Sequence, residues 1–488
     1  MEYAPSVAHL GIDIGTQSLK VALIDDEFGF LGQGSEGYVV SHPRAGYSEQ
    51  DPQVWERALP VAIARACKAV GVKSTAIRSI GVAGQLDGAI AVDTAGNPQS
   101  NCLIWMDRRA TSFVPDISVD QFRKKTGQVP DASHMGPKIA WLKQNVDLPK
   151  GSRFHQPVSW LVERLTGNFC LDPMLASSTM MFSLVDGGWD PELTALFTTS
   201  VTELPAIENA ENLAGVLSAS AARWTGLPAG IPVAVGTGDD FATPLGAGVG
   251  SPGEAVVVLG TAEVVGAVSE TMKLDEAGLV ETHPYVGNQY WLENPGWLSG
   301  GALTWLVELL NFKSFDELFS VATASAIGAD GLTFIPALTG SLAPEWNADA
   351  RGCFYGLTPS HGKAEMARAV LEACVFAMRD VVFRLKELEL KTTNLRLLGG
   401  GARSSLWSQM RADVSGIPAR ADLNVDTCAV GAAILGAVAA NERLEVTDVV
   451  ASLKIDCLEF EPSQANKNAY DAAYSRYLEL FEVLKPLF

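Results

Sequence analysis

The sequence predicts an α/β protein of two domains, and three observations predict it. The chain runs to 488 residues, more than a single hydrophobic core usually fills. Apolar runs of strand length alternate with stretches of helical spacing from end to end. Each half also opens on the same device, an apolar strand, a Gly-Thr turn and a second apolar strand: GIDIGTQSLKVALID at 11–25 and AVVVLGTAEVVGAV at 255–268. A Gly- and Pro-rich stretch over 225–255 separates the halves, which sets the domains at 1–248 and 249–488. The two hairpins share little beyond the pattern, so a duplication is a hypothesis.

The elements follow in order. Ile12 and Ile14, then Val21 and Leu23, alternate with period two and predict two short strands. The turn between them carries Gly15, Thr16, Gln17 and Ser18. Gly15 can take a positive φ and admits another group close to the backbone. Asp13 is the anomaly, because a half-buried carboxylate is costly unless paired or metal-bound. DPQVWERALPVAIARACKAV (51–70) shows helical spacing at Trp55, Leu59, Ala62 and Ala66. IRSIGVAGQLDGAIAVDTAGNPQ then predicts strand, loop, strand and turn. PKIAWLKQNV (137–146) and SWLVERLTGN (159–168) predict helices. In the second half a long helix is predicted over 364–390 and a strand over 395–398. A glycine loop follows, GGGARSSLWSQMRADVSG, and opens a helix near Ser404. TCAVGAAILGAVAA (427–440) is shorter than the ~20 residues a membrane span needs, and predicts a small-residue helix packed closely in a core. Tyr470, Tyr474, Tyr477, Phe481 and Leu484, spaced by three and four, predict a C-terminal helix docked on the core.

Composition narrows the partners. The formal net charge is −20, which argues against nucleic acid, since phosphate neutralisation needs clustered Lys and Arg. A nucleotide needs only local backbone donors and is not disfavoured. The seven cysteines include no CxxC pair and are odd in number, so free thiols in a reducing compartment are expected rather than a zinc site. MEYAPSVAHLG has no basic segment followed by an apolar one. A cytoplasmic location is expected, with no membrane partner.

No G-x-x-x-x-G-K-[ST] loop occurs and no protein-kinase signature. Three glycine-rich turns remain, at 15–16, 260–261 and 399–401, each after an apolar strand. Each can offer backbone N–H groups to an anion. The third also opens a helix, whose N-terminus favours negative charge.

GIDIGTQSLK, GQLDG, IWMDRR, GTGDDFATPLGAG, VVLGTAEVV and LLGGGARSSLWSQMRADVSGIP, in that order, closely resemble the FGGY carbohydrate kinases over essentially the whole chain. GYSEQDPQVW and ARGCFYGLTPSH fit as well, and the xylulokinase-like branch is nearest. The resemblance implies two ribonuclease-H-like domains of the actin and hexokinase type, with the active site in a cleft between them. It implies ATP-dependent phosphorylation of a sugar or polyol hydroxyl with Mg²⁺. Asp13 would lie near the Mg²⁺, while Gly15, Thr16, Gln17 and Ser18 would cradle phosphate oxygens. Lys20 sits where relatives often carry a basic residue at the ATP; alternatively it is a solvated strand-end lysine. Gly260 and Thr261 would hold the β/γ region, Gly300 and Thr304 match nucleotide-lining positions, and Gly400, Gly401 and Ser405 would flank the adenosine. Ordinary turn or helix-packing glycines are the alternative for these.

Phosphoryl transfer needs an acceptor oxygen in line with the γ-phosphate and a base near its proton. The family pattern of a glycine run ending in Asp places that base at Asp239, and a turn exposing a carboxylate at a strand end puts it on the ligand side of an α/β sheet. The alternative is that Asp239 and Asp240 cap the following helix. For the acceptor, GQLDG and IWMDRR supply Gln85, Asp87, Trp105, Asp107 and Arg108. The xylulokinase branch usually reads Met-His where this chain has Leu86-Asp87, whereas the glycerol-kinase branch has an acidic residue at the Asp87 position. Glu263 either faces the sugar or is a surface charge. D-Xylulose is the leading acceptor, with ribulose, erythritol or a glycerol-like polyol as alternatives. A non-catalytic sugar-binding relative and an actin-like ATPase are the readings from other classes. Related kinases are often dimers, which admits a homodimer here.

Overall fold

The computed structural model describes residues 7–422 and 426–488, and the chain divides into two compact units. The first takes the chain as far as Gly250, together with 283–290 and 425–454; the second takes 251–282, 291–424 and 455–488. The chain thus returns to the first unit twice after Gly250, which a single cut between 248 and 249 does not represent.

The first unit is built on a sheet ordered Leu213–Val216, Pro232–Ala234, Ile77–Gly84, Ala8–Ile14, Ser18–Ile24, Phe30–Gly37. Ala8–Ile14 and Ser18–Ile24 form the expected antiparallel hairpin, with Ile12 opposite Val21 and Asp13 opposite Lys20. Ala8–Ile14 also pairs in parallel with Ile77–Gly84, and Thr237–Gly238 joins the end of that strand. Gly15 does not use the left-handed region. Its value is closeness: a Cβ there would stand 3.0 Å from the Ser18 carbonyl oxygen, to which the Gly15 N–H donates.

The helix Thr427–Ala439 explains its own composition. A Cβ on Gly11 would lie 1.8 Å from the Ala429 carbonyl oxygen, and one on Gly81 would lie 1.7 Å from that of Ala432. On Gly431 it would meet the Ala242 carbonyl at 2.0 Å, and on Gly246 the Thr427 carbonyl at 1.9 Å. The helix therefore lies backbone to backbone against two central strands and against the helix Asp239–Gly246. Only Gly and Ala fit such contacts, which is why the run reads as it does. No helix among the described residues is long and apolar enough to cross a membrane.

The second unit repeats the hairpin. Gly253–Leu259 pairs antiparallel with Ala262–Ser269, placing Leu259 opposite Glu263, and in parallel with Thr392–Leu398. Ala419–Asp422 and Cys457–Phe460 extend the sheet. The long helix is Lys363–Glu387, starting one residue before the expected bound and ending three residues short of it. The C-terminal helix Gln464–Leu484 buries Tyr470, Tyr477 and Phe481, as its spacing predicts. All seven cysteines are free thiols.

Candidate active site

In the first unit the close-packed helix decides where the charges meet. Asp13 is the last residue but one of the first strand, Asp239 begins the helix Asp239–Gly246, and Asp426 precedes the helix Thr427–Ala439. Because these backbones touch, their ends converge. Lys20 Nζ stands 2.7 Å from Asp426 Oδ2 and 3.3 Å from Asp13 Oδ2. Burial opposes the lysine charge, but the two carboxylates outweigh it and raise the Lys20 pKa. Burial, then Asp426, pushes Asp13 up to about 7, with Lys20 opposing and Asp239 adding to the rise. Burial and then Asp240 push Asp239 up to about 8, against the backbone N–H groups of residues 239 and 240 and the charge of Lys20. Asp239 is half-buried as a residue, while burial of its carboxyl is the largest cause of the raised pKa. Neither Asp239 nor Asp240 is the helix cap; that position is Gly238, which has no capping side chain.

Asp13 Oδ1 is buried and has no protein partner. Among the described residues no three His, Cys, Asp or Glu side chains form a ready metal cage. This donor set suits Mg²⁺, which keeps several waters and is commonly held by one or two carboxylates plus substrate phosphates.

The acceptor candidates divide into two groups. Gln85, Asp87 and Trp105 gather beside the first hairpin. Trp105, partly exposed, donates its indole N–H to Thr16 Oγ1 at 3.1 Å. Gln85 Nε2 donates to Gln50 Oε1, and Gln50 Nε2 donates to the Thr16 carbonyl. Asp87 adopts a left-handed backbone, φ 62°, a conformation that costs of order 1 kcal/mol or more and collects at functional sites. It is held there from both sides: its N–H donates to Gln156 Oε1 and its carbonyl accepts from Lys138 Nζ. Its carboxylate lies 3.4 Å from His134 Nδ1, and its charge raises the Asp240 pKa to about 6, after burial. Asp107 and Arg108 are placed differently. Asp107 is fully buried and accepts from the Ser48 N–H and from the Arg109 N–H and Nε, so it fixes the loop from below. Arg108 reaches out to Asp131.

Both expectations for Glu263 are overturned. It is neither a surface charge nor a sugar-facing group: it is fully buried in the second unit, where its Oε2 accepts from Ser299 Oγ at 2.6 Å and from Arg411 Nη2 at 2.7 Å. The reason is register, since Glu263 lies opposite Leu259 on the inward side of the hairpin.

The remaining nucleotide candidates cluster in that unit. The Gly260 N–H donates to the Ala262 carbonyl and closes the turn, leaving Thr261 exposed. The Thr261 carbonyl accepts from the Gly301 N–H at 2.9 Å. A Cβ on Gly300 would strike the Gly260 carbonyl at 2.2 Å, so the helix Gly300–Leu310 begins against the turn. Thr304 is exposed, its hydroxyl donating to the Gly300 carbonyl. Gly399 takes φ 84°. A Cβ on Gly401 would meet Trp407 and Leu259 inside 3 Å, whereas one on Gly400 would meet nothing within 4 Å. Gly400 therefore presents an open backbone face. Ser404, not Ser405, caps the helix Ser405–Ser415, leaving Ser405 exposed. Sequence reasoning missed Asp426, His134, Lys138 and Gln156. Only Asp426 had a local signal, an acidic residue just before a helical run.

Two α/β units, each opening on a strand–Gly-Thr–strand hairpin, define the two-domain actin and hexokinase-like class of phosphotransferases. Residues 8–246 match the N-terminal domain of the FGGY family of carbohydrate kinases and residues 255–440 match its C-terminal domain. A xylulose kinase of Escherichia coli K12 is 30% identical over 492 residues, covering 98% of this chain and 99% of the relative. A glycerol kinase of Thermococcus kodakarensis is 30% identical over 472 residues, covering 94% and 93%. The crystal structure of a xyloylose kinase from Brucella ovis superposes with a TM-score of 0.91 at 29% identity, over 99% of this chain and all of that one. The chain belongs to the FGGY family of carbohydrate kinases and is an ATP-dependent carbohydrate kinase similar to xylulose kinases.

Proposed function

We propose that the protein transfers the γ-phosphoryl group of ATP to a primary hydroxyl of a ketose, D-xylulose foremost, with Asp239 as general base. The observation that carries the assignment is the Asp239 carboxylate: on a half-buried residue at the start of the helix Asp239–Gly246, pushed up to about 8, and within the field of Asp13 and Lys20. A base with a pKa near the working pH combines the right protonation state with proton affinity. Asp239 accepts the proton of the acceptor hydroxyl as its oxygen bonds to the γ-phosphorus and the bond to the bridging oxygen breaks, releasing ADP. The backbone of Gly15–Ser18 and the turns at Gly260–Thr261 and Gly399–Gly401 supply donors and open surface for the nucleotide, with Gly300, Thr304 and Ser405 beside them. Asp13 would hold Mg²⁺ through its free oxygen and bound water, and the ion would neutralise charge on the phosphate oxygens. Gln85, Asp87 and Trp105 orient the acceptor, Asp87 accepting from its hydroxyls. The sequence division, with the acceptor, the base and the first phosphate hairpin on 1–248 and ATP binding on 249–488, is part of the same proposal.

Asp87 also favours a second reading. A carboxylate held rigidly at that place suits a polyol with adjacent hydroxyls, and a glycerol kinase matches this chain at the same 30% identity as the xylulose kinase. ADP release measured across xylulose, ribulose, erythritol and glycerol tests both. Stimulation greatest with xylulose supports the ketose assignment, and greatest with erythritol or glycerol the polyol one. ATP hydrolysis that no acceptor accelerates would refute both.

A further inference from the structure

The three nucleotide elements of the second unit are separate in sequence but meet beneath the surface at one ion pair. Glu263 follows the Gly260–Thr261 turn on the strand Ala262–Ser269. Ser299 immediately precedes the helix Gly300–Leu310, and its hydroxyl does not cap that helix; it donates to Glu263 instead. Arg411 lies on the helix Ser405–Ser415 that the glycine loop opens. Its guanidinium bonds Glu263, donates to the Trp407 carbonyl and stacks 4.0 Å from the Trp407 ring centroid. Trp407 in turn backs Gly401, where a Cβ would come within 2.8 Å of the indole. Glu263, Ser299 and Arg411 have no exposed surface, so none of them reaches a ligand directly.

We infer that Glu263, Ser299 and Arg411 are positioning residues for ATP: one buried carboxylate sets the spacing of the Gly260–Thr261 turn, the Gly300 helix start and the Gly399–Gly401 loop. This rests on the reading of those elements as the nucleotide site. Stability alone does not account for the arrangement. Desolvating two charges largely cancels their attraction, and a well-packed apolar pair of similar volume is often as stable or more so. Glu263 Oε1 and Arg411 Nε even lack partners, so the pair is not optimised as a stabilising bridge. It does tie the strand, the helix start and the glycine loop to one point, and small misplacements of binding groups are costly in phosphoryl transfer.

The test uses the full chain in three variants: Ser299→Ala, the charge-free pair Glu263→Leu/Arg411→Met, and Gly400→Val as the control for the reading beneath. A Cβ at position 400 would meet no protein atom within 4 Å, so Gly400→Val is directed at the ligand, and its melting temperature checks the fold. KM is measured separately for ATP and acceptor, with ADP binding by calorimetry and melting temperature alongside. Gly400→Val is expected to raise the ATP KM about tenfold. The charge-free pair is expected to raise it about tenfold and Ser299→Ala about threefold, with the acceptor KM within about twofold in each. A rise confined to ATP and seen in the ADP affinity of folded protein supports positioning. If Gly400→Val raises the ATP KM while Ser299→Ala and any folded form of the charge-free pair do not, the positioning role is wrong and the nucleotide reading stands. If Gly400→Val leaves the ATP KM unmoved, the nucleotide reading fails and the inference with it. Should the charge-free pair not fold, Ser299→Ala alone decides by the same criterion.

Discussion

The two Gly-Thr hairpins share a backbone plan and differ in where they put their acid. In the first, Asp13 stands two residues before Gly15, with one oxygen beside Lys20 and the other unpartnered. In the second, Glu263 stands two residues after Thr261, and its charge is taken up internally by Arg411 and Ser299. Both acids are buried with one oxygen left without a partner, but Asp13 shares its lysine with Asp426 in a cluster of carboxylates, whereas Glu263 is bound by Arg411. On the proposed function, the acid of the first hairpin takes part in the chemistry and that of the second holds the nucleotide elements in place. What decides between them is the residue's side of the turn and its register, because neighbouring strand positions point to opposite faces.

The largest effect that would sharpen this contrast is expected at Asp239. Asp239→Asn should lower kcat by about 10²–10⁴-fold while calorimetric ADP affinity stays near wild type. Near-normal turnover would remove the base from the first unit and break the contrast outright. Next comes pH. The base must be unprotonated, so kcat/KM should rise about tenfold per pH unit below the Asp239 pKa and level off above about 8. Asp13 contributes negative charge to this coupled set, so Asp13→Asn should move the inflection to lower pH. An unmoved inflection would separate Asp13 from the base.

The smallest effect is in melting temperature, and here the two hairpins should answer with opposite sign. Asp13 titrates near 7 in the folded chain and near 4 unfolded. The folded form therefore holds its proton more tightly, and stability is lost as pH rises from about 4 to about 7. Asp13→Asn should raise the melting temperature by a few degrees at pH 8, with the gain vanishing towards pH 4. Glu263→Gln should lower it at pH 8, because Arg411 would keep a buried charge with no counter-charge. Differential scanning calorimetry at both pH values decides, and equal signs would mean that the two acids are used alike.

Much of the frame was legible because its signals are local. Period two gave both hairpins, and the spacing of Tyr470, Tyr477 and Phe481 gave the docked helix. The small-residue run 427–440 was readable as a packed helix, but not as the partner of Gly11 and Gly81, because that contact joins distant parts of the chain. Asp426 was overlooked for the same reason, since its importance comes from Lys20. Asp107 looked equivalent to Asp87 in the sequence, yet all its acceptor capacity goes to Ser48 and Arg109. A left-handed aspartate at 87 leaves no trace in residue type; it becomes visible only through the Gln156 and Lys138 contacts that hold it.

The contact of Gly11, Gly81, Gly246 and Gly431 with neighbouring main chain leaves no room for one added methyl group. A single alanine at any of them would have to pry apart the segments whose tips carry Asp13, Asp239 and Asp426. The three carboxylates are in this sense inherited as one indivisible block. On the proposed function, a change of sugar preference then falls to side chains outside the block, such as Asp87 and Trp105.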